Sequence, residues 1–260
     1  MMFPPERMVC LTEETTETLY LLGEEARIVG ISGYTVRPPR ARKEKPRVSA
    51  FRSADVPKIL ALEPDLVLAF SDIQADIVAE LVRKGVAVHA FNQRTVAEIL
   101  AMIRMLGAMV GVAARADALA GEYEANLARV RTRAASAANR PKVYFEEWDE
   151  PMISCIAWVS ELIGTAGGVD VFADRAQGKS ARERFVSAEE VIARAPDIII
   201  GSWCGKKFRG EKLAARPGFS SIPAVRNNRL HEIKSPLILQ PGPAALTDGL
   251  QALEAIVTRR

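Results

Sequence analysis

The chain has 260 residues, 48% hydrophobic and 26% charged, with a net charge of +3 at pH 7, enough to bury one large core or two small ones. Its 35 Lys and Arg are interleaved with 32 Asp and Glu, which excludes the clustered basic face of a nucleic-acid binder. No apolar run approaches the ~18–20 residues that span a bilayer, the three cysteines Cys10, Cys155 and Cys204 form no CxxC, and His89 and His231 are too few for a typical all-protein zinc site.

The amino-terminal MMFPPERMVCL has no basic segment followed by an apolar one, so no export signal is read there. The expectation is a cytoplasmic chain, or the mature part of an exported one. Arg7–Thr12 is a short apolar strand. TEETTETLYLLG follows as a helix, capped by Thr12 or Thr15 and closed by Gly23. Arg27–Ser32 is a second strand. The stretch GYTVRPPRARKEKPRV holds Pro38, Pro39 and Pro46 and reads as a long basic loop. Val48–Phe51 is a brief strand. SADVPKILALEPDLVLAF reads as cap, helix, turn and buried strand, with Pro57 in the first helical turn. Ala75–Lys84 is helical, Gly85 ends it, 86–91 is a strand, and 95–111 is a strongly apolar helix.

Residues 113–138 read as one long helix. Leu119, Tyr123, Leu127 and Val130 recur at helical spacing, and alanine fills the gaps. About 20 such residues span about 30 Å. By itself this pattern fits a rod between two lobes or a crossover helix within one sheet. The carboxyl half supplies the deciding feature. SAEEVIARAPDIIIGSW at 187–203 repeats the order of 53–70: cap, helix, Pro-Asp, apolar strand, aromatic. That internal echo favours two similar lobes. KVYFEEW is a strand, Trp158–Gly164 a helix, GTAGGVDVF a glycine-rich turn and Arg229–Ile233 a late strand. The chain ends in a Pro-started helix. The expected organisation is an α/β protein: lobe 1–112, backbone helix 113–138 and lobe 139–260, with one ligand slot between two Rossmann-like lobes.

Candidate site residues lie where strands end. Glu13 and Glu14 open the first helix, and with Thr15 and Thr16 they serve either as caps or as a binding edge. Tyr34 offers a flat aromatic face, and Phe51 with Arg52 stands at the next strand end. Ser71 and Asp72, then Asn92 and Gln93, follow later strands. Glu146, Glu147, Asp149 and Glu150 surround Trp148, a costly cluster unless solvated or paired with cations. Trp158 is either core or a wall of the slot. In 202–210, Trp203 and Cys204 precede Lys206, Lys207 and Arg209, a set suited to a ligand with carboxylates or phosphate. Cys204 beside lysines is the most reactive of the thiols, and Cys10 and Cys155 read as buried apolar residues.

The ordered set RMVCLT, RIVGISGY, VSAFRSADVPKILALEPDLVLAF, the rod, WVSELIGTAGGVDVF, VSAEEVIARAPDIII and SIPAVRNNRLHEI resembles the class III solute-binding proteins of ABC importers. Among them the likeness is greatest to the vitamin B12-binding proteins. The resemblance implies two α/β lobes on a rigid helical backbone and a corrinoid or other metal-containing tetrapyrrole held between them. It implies no resident cofactor, no metal site of the protein's own, no catalysis, a monomeric chain and an ABC permease as partner. By that likeness, Tyr34 corresponds to the tyrosine that lies against the corrinoid ring, and Phe51 stands in place of a tryptophan. Glu183 stands where the B12 binders have another tryptophan. Glu189 matches the permease-docking glutamate of the second lobe. Pro57 takes the corresponding first-lobe position, with Asp55 the nearest acid. The same resemblance admits haem or a ferric siderophore as ligand. An intracellular ligand-handling protein or enzyme using Cys204 with His231 or with the acids at 146–150 is the remaining alternative.

Overall fold

Uninterrupted apolar runs become strands covered on both faces. The computed structural model describes residues 3–136 and 139–259. Met1, Met2, Ala137, Ala138 and Arg260, which the expected amino-terminal segment, rod and second lobe include, lie outside them. Contacts divide the chain into two units, Met1–Gln93 with Ala97–Glu122 and Arg94–Val96 with Tyr123–Arg260.

In the first unit, β1 (Met8–Cys10), α1 (Glu13–Leu21), β2 (Ile28–Ser32), α2 (Ala41–Glu44), β3 (Arg47–Ser49), α3 (Val56–Ala61), β4 (Leu66–Phe70), α4 (Ala75–Arg83) and β5 (Val88–Phe91) follow in order. The strands form one parallel sheet, β3-β2-β1-β4-β5. Val9, Leu11, Val67 and Ala69 point to one face, against Val56 and Ile59 of α3 and Ile77 and Leu81 of α4. Met8, Cys10, Leu66 and Leu68 alternate with them and are buried as well. This double burial explains why β1 and β4 read as continuous rather than alternating apolar runs. Gly23 and Gly85 follow α1 and α4 at φ +71° and +81°, a left-handed conformation that a Cβ would strain. The loop expected between Gly33 and Val48 contains one helical turn, α2. Pro38, Pro39 and Pro46 flank that turn instead of interrupting it.

Two helices follow, α5 (Val96–Met109) and α6 (Ala113–Ala135). The buried face of α6 runs Ala116, Ala120, Tyr123, Leu127, Val130. Leu119, expected on that face, is only half-buried at its shoulder. Contacts assign the start of α6 to the first unit and the rest to the second, whereas the sequence set it apart as a segment of its own. Within the first unit α5 meets α6 where Gly107 faces Ala116.

The second unit contains β6 (Lys142–Asp149), β7 (Met152–Ser154), α7 (Ala157–Thr165), β8 (Val169–Asp170), α8 (Ala188–Arg194), β9 (Ile198–Gly201), α9 (Gly210–Ala214), α10 (Pro223–Arg226), β10 (Leu230–Glu232), α11 (Ser235–Ile238) and α12 (Leu250–Thr258). Its sheet runs β10-β9-β6-β7, with β8 also on β6. Strands β10, β9, β6 and β8 are parallel, and β7 returns antiparallel along the end of β6. The sequence signalled neither β7 nor the short β8, which lies inside the expected glycine turn. The final helix is preceded by a π-turn at Ala245–Gly249. One side of the sheet buries Tyr144 and Ile199 against Phe172, Val191, Leu213, Phe219 and Ile222. Arg133 of α6 donates from Nε and Nη2 to the two carboxylate oxygens of Glu254 of α12, at 2.7 and 2.9 Å. Among the described residues no helix is long and apolar enough to cross a membrane.

A Cβ on Gly107 would lie 2.1 Å from Cβ of Ala116, while one on Gly121 meets nothing within 4 Å. Gly107→Ala is therefore expected to cost about 1–3 kcal/mol by overpacking. Gly121→Ala is expected to gain about 0.5–1 kcal/mol of helix stability. Urea midpoints of the two variants, moving in opposite directions, check the α5–α6 packing.

Candidate functional site

In a parallel sheet every strand releases its chain at the same edge, and ligands of open α/β sheets gather there. In the first unit that edge carries Glu13 and Glu14 after β1, Tyr34 after β2, Phe51 and Arg52 after β3, and Ser71 and Asp72 after β4. Buried Gln74 ties the edge together. Its Oε1 accepts from the Phe70 amide at 2.9 Å, and its Nε2 donates to the carbonyls of Phe51 at 3.0 Å and Leu11 at 3.4 Å. Three strand ends thus share one side chain, which no local sequence pattern marks. Ser71 adopts φ +55°, a costly conformation for a residue with a Cβ. Its amide donates to the Phe91 carbonyl at 2.7 Å and its Oγ accepts from the Ile73 amide at 3.3 Å. Tyr34 is 52% exposed. Arg52 and Asp72 are exposed, and Phe51 is half-buried.

Glu13 and Glu14 are buried rather than solvated caps. Thr12 occupies the cap position of α1, but its hydroxyl donates to Glu14 Oε1 at 2.6 Å instead of accepting from a backbone amide. Burial pushes the Glu14 carboxyl up to about 8, against the Thr12 hydrogen bond and with help from the neighbouring Glu13 and Glu17 charges. Burial likewise raises Glu13 to about 6. Glu17 accepts from Arg37 Nε at 2.7 Å. Glu13 Oε2 and Thr35 Oγ1 are buried without a hydrogen-bond partner, so this edge presents unmet polar capacity.

In the second unit the acids at 146–150 acquire separate partners. Glu146 is fully buried. It accepts from both terminal nitrogens of Arg216, at 2.5 and 3.0 Å, from Trp203 Nε1 at 3.0 Å and from the Tyr144 hydroxyl at 3.0 Å. Burial raises its carboxyl above the usual range, with Arg216 the strongest opposing influence. Glu147 pairs with buried Arg184, and Asp149 with Lys206. The condition read from the sequence, cations for the acids, is met by residues 37 to 70 positions away. Arg184 ends a short helical turn and Arg216 follows α9, and no sequence pattern marks either as the partner of these acids.

Lys206 Nζ lies 4.3 Å from the Trp148 ring centre and 5.2 Å from that of Trp203. The structure thus brings Trp148, Trp203 and Lys206 together, with Cys204 exposed on the same turn. Two expected residues are used elsewhere. Trp158 is a core residue, 3% exposed, its indole nitrogen donating to the Ile238 carbonyl at 2.8 Å. Glu183 closes a capping box with Ser180, and the Ser180 hydroxyl and backbone amides hold its carboxylate below the usual range. Asp55 and Glu189 are both exposed at helix starts. Asp55 caps α3 by accepting from the Lys58 amide at 3.0 Å, and Glu189 lies in the first turn of α8. His231 is half-buried within β10, and burial lowers its imidazole below the usual range. Burial pushes the Cys10 thiol up to about 12 and holds Cys155 well above the usual range. Among the described residues no three His, Cys, Asp or Glu side chains gather as a metal site.

A match to the periplasmic binding protein family covers residues 8–237. The chain belongs to that family of solute-binding proteins. It is 28% identical to a vitamin B12-binding protein of Vibrio cholerae over 98% of this chain and 89% of the relative. The crystal structure of the periplasmic vitamin B12-binding protein BtuF of Vibrio cholerae superposes with a TM-score of 0.79 at 25% identity, covering 98% of both chains. The periplasmic haem-binding protein RhuT of Roseiflexus gives a TM-score of 0.82 at 26% identity, over 97% of this chain and 99% of that one. The resemblance drawn from the ordered strands is therefore shown at the level of family and of α/β fold. Work in this family consists of binding, which suits edges built from aromatic faces and paired charges.

Two outcomes follow from the burial of these acids. Arg216→Met leaves Glu146 buried without its cation, at a cost of about 3–5 kcal/mol in urea unfolding. Replacing both, Arg216→Met with Glu146→Leu, is expected to recover much of that loss. Glu14 has an ordinary value of 4.5 and a folded value of about 8. Between these values the folded chain holds a proton that the unfolded chain has released. Its stabilising effect is full below pH 4.5 and is lost as pH rises through about 8, at no more than about 1.4 kcal/mol per pH unit. Glu14→Gln is expected to flatten the urea-midpoint profile across that window.

Proposed function

We infer that this periplasmic binding protein is the solute-binding component of an ABC importer and that its cargo is a corrinoid of the vitamin B12 type. The observation that carries the reading is the likeness to the Vibrio cholerae vitamin B12-binding protein through 98% of this chain. The exposed ring of Tyr34 supports it, because a flat aromatic face at a strand end suits a planar macrocycle. The unmet oxygens of Glu13 and Thr35 suit the polar periphery of such a ligand. Asp55 and Glu189, exposed acids at helix starts, are the proposed contacts for the permease.

Haem or a ferric siderophore is the second reading. It is favoured by the 26% identity to the Roseiflexus haem-binding protein. It is favoured also by Glu183, an acid engaged in its own capping box where the B12 binders present an indole.

Absorption titrations with cyanocobalamin, cobinamide, haemin and a ferric siderophore separate the two. Saturable binding of a corrinoid at micromolar or lower concentration is the expected result, and Tyr34→Ala is expected to weaken it about tenfold. Failure of every corrinoid to bind refutes the first reading, and a haem spectral shift in its absence establishes the second.

A further inference from the structure

The turn at 204–207 is exposed, but the residues on either side of it are fixed. Trp203 and Phe208 are buried and meet edge to face at 5.0 Å. The Trp203 ring is further held by its indole hydrogen bond to Glu146, which Arg216 in turn grips. Trp148 stands at the end of β6, its Nε1 donating to the Glu150 carbonyl at 2.8 Å. Asp149, the next residue of the strand, has a side chain only 20% exposed. Two oriented indole faces and one largely desolvated carboxylate thus converge on a single point, which is occupied by the ammonium of Lys206.

Everything that receives the cation is anchored to the sheet or the core, whereas the cation itself is not. Lys206 arrives on the exposed turn, next to Gly205 at φ +77°, around which a Cβ would meet nothing within 4 Å. Its side chain is 40% exposed. A receptor fixed before binding and an occupant on a loose four-carbon stem are the two halves of an exchangeable contact. Indole faces attract cations through the ring quadrupole, most strongly when the cation is poorly hydrated. A primary ammonium such as that of lysine is strongly hydrated; a methylated ammonium is less so.

We propose that Trp148, Trp203 and Asp149 form a subsite for a substituted ammonium group, which Lys206 of the chain fills until such a cation displaces it. One cation replaces another, so the charge at Asp149 stays balanced and Lys206 passes into solvent. The chemical class of the guest is a small organic cation, or the methylated ammonium group of a larger solute. The subsite stands independently of the tetrapyrrole reading, since it uses neither Tyr34 nor Phe51.

The test uses the full chain and tetramethylammonium chloride, with sodium chloride of equal ionic strength as the control. Tryptophan fluorescence and calorimetry give the midpoint. Lys206→Ala, at an exposed position, is expected to bind tetramethylammonium about tenfold more tightly than the unaltered chain. Adding Asp149→Asn or Trp148→Leu to Lys206→Ala is expected to abolish that gain. Equal midpoints with and without Lys206, a response reproduced by sodium chloride, or binding that survives the loss of Trp148 would overturn the subsite. Corrinoid affinity of Lys206→Ala, measured in parallel, reports on the other reading separately.

Discussion

Strands covered on both faces have no side on which to carry charge, and this one constraint shapes both units. Met8–Cys10, Leu66–Phe70 and Ile198–Gly201 are buried along their whole length. Hydrophilic residues in these segments are therefore displaced to the strand ends, where the chain leaves the sheet. There they meet residues delivered by neighbouring parallel strands, because parallel strands share one releasing edge. Glu13, Tyr34, Phe51 and Ser71 share one edge for that reason, although the first and the last are 58 positions apart. The same rule assembles Glu146, Trp148 and Trp203 from β6 and β9.

Charge collected at such an edge must still be reconciled with burial, and individual acids do this differently. In the second unit Glu146 has Arg216 and Glu147 has Arg184, while buried Asp170 accepts hydrogen bonds from the Cys155 thiol and the Phe172 amide. Ion pairing there overcomes part of the desolvation penalty, and the guanidinium fork satisfies both carboxylate oxygens at once. In the first unit Glu17 has Arg37, whereas Glu14 is held by a hydroxyl, from Thr12. Its solution is to keep the proton. The helix start would favour the charged form, but full burial outweighs it. The first edge is therefore less charged at neutral pH than its acids suggest.

Much of this was legible in the sequence because it rests on local pattern. The strand–helix order, the glycines after α1 and α4, the presence of a cap before α3 and the echo of 53–70 at 187–203 all follow from rules that act over a few residues. What escaped depends on distant partners. Strand β7 is too short to show a period and exists because it can pair with the end of β6. Gln74 reads as an ordinary residue near a helix start, and only the fold reveals that it joins Leu11, Phe51 and Phe70. Arg184 and Arg216 resemble any exposed arginine until an acid from another element is placed beside them. Trp158 carried an ambiguity that spacing could not resolve, between core and binding surface, and the buried Ile238 carbonyl resolves it by accepting the indole hydrogen bond.

The aromatic residues of the second unit show why residue type alone does not define a binding surface. Trp158, Trp203 and Trp148 are all indoles near strand or helix ends. Trp158 has both its ring and its nitrogen committed to the interior. Trp203 has its nitrogen committed to Glu146, which orients the ring without covering the face that Lys206 approaches. Trp148 spends its nitrogen on a carbonyl two residues away and remains half-buried. Burial of the acceptor does not separate them, since Ile238 and Glu146 are both fully buried. What separates them is what lies against the ring: Trp158 is enclosed by the core, whereas Trp203, oriented by Glu146, turns a face to the ammonium carried by the exposed 204–207 turn and so keeps that face for a guest.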